Sequence, residues 1–202
     1  MEIYKINPRG FACNCYLLTN DNKAAVAIDP GQPQVLEEAK KLGLRIEYVL
    51  LTHGHFDHIG GCHALQEAGA KIGCLKGEEE LALHHNLGME FGFGTIVPPF
   101  TVDFTFEDGE TLELCGMRIS VMGTPGHTVG SCCYKIDNLL FTGDTLFAGS
   151  VGRTDGPTGS DEELQKSLKK LCALEGDYTV LPGHGGNTTL SQERKSNRYI
   201  EW

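Results

Sequence analysis

The segment His53–His58 reads His-Gly-His-Phe-Asp-His and holds four side chains that commonly bind metal ions. It follows the apolar run Tyr48–Leu51, which predicts a buried strand. A turn after a strand lets neighbouring side chains converge, whereas a regular strand sends them to opposite faces. Imidazole nitrogens and carboxylate oxygens suit borderline divalent cations such as Zn²⁺. The segment therefore predicts a metal site rather than a histidine-rich surface turn.

Three more turns each follow a predicted strand and present one further residue of a metal-binding type. These are His127 in Thr124–Thr128, Asp144 in Phe141–Thr145 and His184 in Leu181–Gly185. Alone, each would more often be structural, because Gly-His and Gly-Asp turns are common. Together with the first segment they give five histidines and two aspartates. One tetrahedral cation with an open water position needs only three protein ligands, so the surplus predicts two cations that share a carboxylate.

The pattern Thr-His-x-His-x-Asp-His, followed by a His, an Asp and a His, resembles the hallmark of the metallo-β-lactamase superfamily, and it extends here from His53 to His184. The resemblance implies a first metal on His53, His55 and His127, a second on Asp57, His58 and His184, and Asp144 bridging the two. It also implies a four-layer α/β/β/α sandwich of that superfamily.

Within the superfamily, Asp144 stands where lactamases of this fold commonly carry a cysteine, which makes the chain more similar to type II glyoxalases. That likeness implies a binuclear hydrolase of thioesters such as hydroxyacylglutathione. A hydroxide bridging the two cations would be the nucleophile, with Asp57 orienting it and Asp144 holding both cations. Zn²⁺ is the expected metal, and Fe or Mn would suit the same donors.

Several alternatives remain open from the sequence. The segment Leu146–Asp155 resembles one shared by short glyoxalase-II-like proteins and persulfide dioxygenases, and a single iron on His53, His127 and Asp144 would suit the latter. A lactonase would use the same hydroxide attack on an ester carbonyl. Type II glyoxalases with full glutathione recognition carry an extra basic helical region at the C-terminus, whereas 18 residues follow His184 here. The sequence therefore does not predict full glutathione recognition.

Two further features border the predicted site. Arg153 is a candidate substrate-binding residue, because guanidinium groups suit carboxylates, and a structural salt bridge is the competing interpretation. The glycine-rich loop Asn86–Phe100 carries Met89, Phe91 and Phe93 and is expected to form an apolar wall near the metals or to pack on a sheet edge. His63, His84 and His85 belong to no strand-end turn, so ordinary structural roles are predicted for them.

Composition limits the partners of the chain. Its 17 Lys and Arg against 27 Asp and Glu give a net charge of -10, which argues against nucleic-acid and membrane partners and leaves a small-molecule substrate. No apolar run has the length of a signal peptide or a membrane span, so a cytoplasmic protein with reduced cysteines is expected. The 202 residues fit one domain, 1–202, and the sequence predicts no oligomeric state.

The elements that must position these turns alternate between strands and helices. Strands are predicted at Ile3–Ile6, Asn14–Thr19, Ala24–Asp29, Ile46–Thr52, Lys71–Leu75, Asp103–Thr105, Thr111–Leu114, Met117–Met122, Ser131–Ile136, Leu139–Phe141 and Tyr178–Leu181. Helices are predicted at Pro33–Leu42, Ile59–Ala68, Gly77–His85, Asp161–Leu174 and Thr189–Tyr199. Two sheets, each covered on the outside by helices, make an α/β (α+β) fold in four layers the expected architecture, and periodicity alone does not separate it from other α+β arrangements.

Overall fold

Two six-stranded β-sheets form the framework of the protein, whose computed structural model describes residues 1–21 and 23–200. The first sheet has the order β1 (Glu2–Ile6), β2 (Cys15–Thr19), β3 (Ala24–Ile28), β4 (Arg45–Leu50), β5 (Lys71–Leu75) and β6 (Phe104–Phe106). The second contains β7 (Thr111–Leu114), β8 (Met117–Gly123), β9 (Cys132–Ile136), β10 (Leu139–Gly143), β13 (Thr179–Pro182) and β14 (Thr188–Thr189). Its order is β14-β13-β10-β9-β8-β7.

The remaining elements of the described residues are a small hairpin and seven helices. The hairpin pairs β11 (Leu146–Phe147) with β12 (Ser150–Val151). The helices are α1 (Val35–Lys41), α2 (Phe56–Ile59), α3 (Cys62–Glu67), α4 (Glu79–Ala82), α5 (Leu87–Glu90), α6 (Asp161–Cys172) and α7 (Leu190–Ser196). None of the helices in the described part of the chain combines the length and the apolar character that a bilayer crossing needs.

Three apolar layers separate four layers of secondary structure, which confirms the predicted α/β/β/α sandwich. The middle layer lies between the sheets and contains Tyr16, Val121 and Tyr134. One outer layer joins the first sheet to α1 and α3, and the other joins the second sheet to α6 and α7. Cys132 lies in the middle layer and Cys133 in the outer one, because successive side chains on a strand point to opposite faces.

Strand direction explains why the predicted ligands meet at one edge. β3 and β4 run parallel, with Ile28 opposite Leu50, and β10 and β13 run parallel, with Leu140 opposite Val180. β8 has the same direction as β10, because both are antiparallel to β9. The loops that follow β4, β8, β10 and β13 therefore open at the carboxyl ends of these strands, where ligands bind in many α/β folds.

The largest departure from the predicted elements lies in the histidine segment. Asp57 and His58 belong to the short helix α2 instead of a turn, and a break at Gly60 and Gly61 separates α2 from α3, where one helix over Ile59–Ala68 was predicted. A Cβ on Gly60 would come within 2.4 Å of the Gly31 carbonyl oxygen. The break lets the chain approach the loop after β3 more closely than any side chain would permit.

Other differences concern short elements. The predicted helix Gly77–His85 is only the single turn α4, and the loop Asn86–Phe100 contains the single turn α5. The hairpin β11–β12 and the strand β14 were not predicted, since elements of two residues carry no periodicity. Helix α6 confirms the helix predicted at Asp161–Leu174 and buries Leu164, Leu168 and Leu171 on one face. It begins with a cap, in which the Ser160 hydroxyl accepts a hydrogen bond from the Glu163 amide at 3.3 Å.

Candidate metal centre

His53, His55 and His127 bring three ring nitrogens together beneath a cleft. His127 Nε2 lies 2.9 Å from His55 Nδ1 and 3.2 Å from His53 Nε2. A tetrahedral cation bound to imidazole nitrogens at about 2.0–2.1 Å would hold them about 3.3–3.4 Å apart. All three side chains are buried, although they come from the loops after β4 and β8. This first trio has the spacing of three ligands around one cation.

Asp57, His58 and His184 form a second trio beside the first. Asp57 Oδ2 lies 3.1 Å from His184 Nε2 and 3.9 Å from His58 Nε2. His184 is the most exposed of the three and lines the cleft together with Asp57. One carboxylate oxygen and two nitrogens make a donor set of the kind that Zn²⁺, Fe and Mn accept.

The Asp144 carboxylate lies between the two trios. Its Oδ1 is 3.3 Å from His58 Nε2, and its Oδ2 is 3.5 Å from His184 Nε2 and 3.7 Å from His127 Nε2. A carboxylate so placed faces donors of both trios at once. The structure thus brings together all seven residues that the sequence analysis singled out as candidate ligands.

Asp29 orients two of these histidines from behind, and the sequence analysis did not predict it. The His58 Nδ1–H donates to Asp29 Oδ2 at 3.0 Å. The Thr52 hydroxyl also donates to Asp29 Oδ2, at 2.7 Å, and accepts from His53 Nδ1–H at 3.1 Å. With the outer nitrogens engaged as donors, the Nε2 atoms of both rings present lone pairs to the centre.

His127 is oriented by main chain. Its Nδ1–H donates to the Arg153 carbonyl oxygen at 2.7 Å, so Nε2 again faces the centre as an acceptor. The Arg153 side chain is largely exposed, and its guanidinium makes two hydrogen bonds to the Asp155 carboxylate, at 2.6 and 2.8 Å. The structure therefore gives Arg153 the salt bridge that the sequence analysis weighed against substrate binding.

Buried polar atoms without hydrogen-bond partners indicate whether a cation would fit between the candidate ligands. Among the described residues, His58 Nε2 and Asp144 Oδ1 are buried and have no partner with hydrogen-bond geometry. Buried polar atoms are nearly always satisfied, so unpaired atoms call for an explanation. A cation between them would coordinate both. The donor chemistry and these two atoms fit a metal in the second trio, as the close nitrogens fit one in the first.

Electrostatics favours the unprotonated state of most of these donors. Burial lowers the pKa of His55 to about 4, and burial with neighbouring histidines holds the pKa of His53 well below its usual range. Burial opposes ionisation of Asp144, but His58 and the other nearby histidines hold the pKa of this carboxyl below its usual value. Metal ligands must be deprotonated to bind, so these directions suit a cation site. The pKa of His58 moves the other way: burial opposes its charge, but Cys13 and the carboxylates of Asp144, Asp29 and Asp57 raise its pKa well above the usual value, so a cation would have to displace this proton.

Glu78 is a second buried carboxylate that the sequence analysis missed. One oxygen accepts hydrogen bonds from the Gly54 amide and the Thr128 hydroxyl, both at 2.8 Å, and the other accepts from the Gly130 amide at 2.7 Å. Burial raises the pKa of this carboxyl. Glu78 ties the loop that carries His53 and His55 to the loop that carries His127, and so supports the spacing of the first trio.

At Gly183 the backbone passes so close to the candidate ligands that no side chain would fit. A Cβ built on it would lie 2.4 Å from Asp144 Oδ1 and 2.7 Å from His58 Cε1. We expect Gly183→Ala to displace both side chains and to weaken metal binding by at least about tenfold, the loss typical when the surroundings of ligands are altered. Competition with a chromogenic chelator would measure it. Gly186→Ala is the matched control, since a Cβ there meets no atom within 4 Å, and equal affinities would contradict this placement.

The other histidines lie outside the centre, as predicted. His63 Nδ1 donates to the Pro99 carbonyl oxygen at 2.6 Å, and His84 Nε2 lies 2.8 Å from Glu90 Oε1. His85 packs against the Phe100 ring. The cysteines of the described chain are all free thiols, and Cys13 reaches closest to the centre, where its Sγ donates to the Asp29 carbonyl oxygen at 3.3 Å.

Sequence comparison finds a family profile and a relative that match most of the chain. The profile of the metallo-beta-lactamase superfamily matches residues 8–184. A hydroxyacylglutathione hydrolase, GloC of Haemophilus influenzae, is 37% identical, and the alignment covers 99% of this chain and 98% of the relative. The similarity therefore extends over essentially the whole of both proteins.

Structural comparison gives the same result. A crystal structure of BLEG-1, a B3 metallo-beta-lactamase, superimposes with a TM-score of 0.92 at 31% identity and covers 98% of this chain and 99% of that one. The crystal structure of TTHA1623 in a di-iron-bound form superimposes with a TM-score of 0.85 at 33% identity and covers 98% and 100%. These similarities cover the sheets, the helices and the loops that carry the seven candidate ligands.

Proposed function

The chain belongs to the metallo-β-lactamase superfamily, and from this premise we propose that it is a binuclear metal-dependent hydrolase of thioesters. The observation that carries the proposal is the Asp144 carboxylate, whose two oxygens face donors of both trios within 3.7 Å. A carboxylate shared by two three-donor groups suits a pair of cations. The thioester class is supported by the full-length similarity to a hydroxyacylglutathione hydrolase.

In this proposal each trio holds one cation. His53, His55 and His127 would hold the first, Asp57, His58 and His184 the second, and Asp144 both. Zn²⁺ is the first choice, and the di-iron form of TTHA1623 supports iron as an alternative occupant. The hydrogen bonds from the outer nitrogens of the rings would keep the inner nitrogens in place while substrate binds.

When bound, such cations lower the pKa of coordinated water towards neutrality and polarise a substrate carbonyl. Asp57 lines the cleft and lies beside His184, a position from which its carboxylate would orient the attacking water. Hydrolysis forms a carbon–oxygen bond and breaks the carbon–sulfur bond, whose electron pair leaves with sulfur. A thiolate leaves readily at neutral pH, so the residues of this cleft need not supply a strong general acid.

Metal removal gives a direct test of this function. We expect dialysis against a strong chelator to abolish thiol release from a thioester, and Zn²⁺ to restore it, because the proposed nucleophile is water held by the cations, whereas Cys13, the thiol nearest the centre, is fully buried. Release would be followed with a thiol-reactive dye, using protein incubated without chelator as the control. Undiminished hydrolysis in protein shown to be metal-free would contradict the proposal.

A second candidate function is the hydrolysis of β-lactams, which the similarity to BLEG-1 over 98% of the chain favours. The same centre would act on an amide carbonyl in a strained ring. A chromogenic cephalosporin assayed beside the thioesters would rank the two. A larger kcat/KM for the cephalosporin than for every thioester would replace the first proposal by the second.

A further inference from the structure

Three phenylalanines stand exposed at the mouth of the cleft above the candidate centre. Phe11 is 61% exposed, Phe91 is 42% exposed and Phe93 is 40% exposed. All three line one cleft of about 640 Å³, together with His55 and Asp57. Phe11 comes from the connection between β1 and β2, whereas Phe91 and Phe93 follow α5. Distant segments of chain thus place apolar rings at one opening, which is typical of a binding surface.

Ring contacts connect the three phenylalanines to residues deeper in the cleft. The centroids of Phe11 and Phe93 are 5.0 Å apart, and the ring of Phe93 lies 5.1 Å from that of the buried Phe56. The ring centroids of Phe91 and His55 are 6.3 Å apart. We call Phe11, Phe91 and Phe93 the phenylalanine wall. Because the wall lines the same cleft as His55 and Asp57, a substrate whose carbonyl lies over the two trios would lie close to it.

The protein side chains that line the cleft do not suit an anionic substrate. Among the described residues that line it, Arg153 is the only Lys or Arg, and its Nε and Nη2 groups donate to the Asp155 carboxylate. In the proposed function the cations would neutralise Asp57 and Asp144 at the base of the cleft. The nearby Arg9 lines a different depression and lies 3.7 Å from Glu38. A glutathione thioester carries two carboxylates, which would meet no unpaired Lys or Arg among these lining residues.

We infer that the phenylalanine wall binds an uncharged apolar acyl group, so that the preferred substrates are thioesters of aliphatic or arylacetic acids. The inference rests on the proposed function. The acyl group is assigned to the wall because it stays attached to the reacting carbonyl carbon, whereas the thiol departs. Contacts that persist into the transition state raise kcat/KM, and apolar rings supply such contacts without charge.

A chain-length series on one small, uncharged thiol tests this assignment. S-acyl thioesters of N-acetylcysteamine from acetyl to hexanoyl would be compared with S-lactoylglutathione on the metal-loaded protein. Each buried methylene can raise kcat/KM by up to about fourfold, so we expect at least a tenfold rise from acetyl to hexanoyl. The kcat/KM for the hexanoyl thioester should also exceed the kcat/KM for S-lactoylglutathione.

Substitutions in the phenylalanine wall test whether its residues cause the rise of kcat/KM with acyl chain length. Phe11→Ala and Phe93→Ala are each expected to reduce the hexanoyl-to-acetyl ratio at least about threefold while the acetyl thioester is still hydrolysed, because an aromatic contact is lost. Phe93→Leu keeps an apolar side chain and should retain most of the ratio. Leu42→Ala, at an exposed leucine that does not line the cleft, is the matched control. Metal content and thermal unfolding of each variant identify folding defects.

The outcomes separate this inference from the proposed function. Thioester hydrolysis with no rise along the series, or with S-lactoylglutathione preferred, would overturn the apolar assignment and leave the hydrolase proposal standing. An unchanged ratio in folded Phe11→Ala and Phe93→Ala would overturn the role of the wall. If the metal-loaded protein hydrolysed no thioester, the proposed function would fail and this inference with it.

Discussion

Replacing Asp144 by alanine is expected to remove bound metal and turnover together. Both oxygens of this carboxylate face the two trios, and Oδ1 is buried without a hydrogen-bond partner. Its loss would leave the donors of both trios without the negative charge that they share. We expect the metal content to fall from about two per chain to one or less, and kcat/KM by at least about a hundredfold, the upper end for changes around metal ligands.

The measurement pairs elemental analysis with thiol release on the same samples. Asp144→Asn keeps the shape and removes the charge, so it should lose metal as well. Asp137→Asn serves as the control, because Asp137 lies in the exposed β9–β10 turn with a positive φ that asparagine adopts readily. A fully metallated and active Asp144→Ala protein would exclude a bridging role.

The second large effect is expected at Glu78. Glu78→Ala leaves the buried Gly54 and Gly130 amides without their acceptor, and it removes one of two partners of the Thr128 hydroxyl, which keeps Ser131 Oγ at 2.7 Å. Each unsatisfied buried donor costs about 1–3 kcal/mol, so we expect the free energy of unfolding to fall by about 3–5 kcal/mol. Metal affinity should fall as well, because the three donors lie in the loops that carry the first trio.

Urea unfolding of the metal-free protein measures the first effect, and chelator competition measures the second. Glu78→Gln keeps one acceptor oxygen but turns an NH₂ group towards a backbone donor, so an intermediate loss is expected. Glu80→Ala removes an exposed carboxylate from the same helical turn and is the matched control. If Glu78→Ala had the same free energy of unfolding as Glu80→Ala, the hydrogen bonds by which Glu78 joins the two loops would not stabilise the fold.

The candidate ligands could be predicted from the sequence because each one follows a strand signal closely. The apolar run before His53 and the Gly-containing turns around His127, Asp144 and His184 are local patterns. Parallel strands then bring the ends of β4, β10 and β13 to one edge without any long-range detail. The strands and the long helix α6 could be predicted from their periodicity, whereas the four-layer arrangement depended also on the resemblance to the superfamily, because periodicity alone does not separate it from other α+β arrangements.

The supporting residues could not be predicted, because their roles depend on contacts between distant segments. Glu78 stands in a run of three glutamates, and nothing in the sequence distinguishes it from the exposed Glu80. Asp29 directly follows β3, as several candidate ligands closely follow other strands, and this position was the only signal in the sequence that could have indicated it. Phe11 and Phe93 are 82 positions apart in the sequence but in contact in the structure. The sequence therefore predicted Phe91 and Phe93 as part of an apolar wall, but not Phe11.

The measurement that most directly tests the two-cation centre is the metal stoichiometry of active protein, taken together with oxygen uptake. Protein loaded with Zn²⁺ and freed of excess by gel filtration is expected to hold close to two metals per chain and to release thiol without consuming oxygen. One iron per chain, with oxygen consumed on a persulfide substrate and no thioester hydrolysis, would contradict the account.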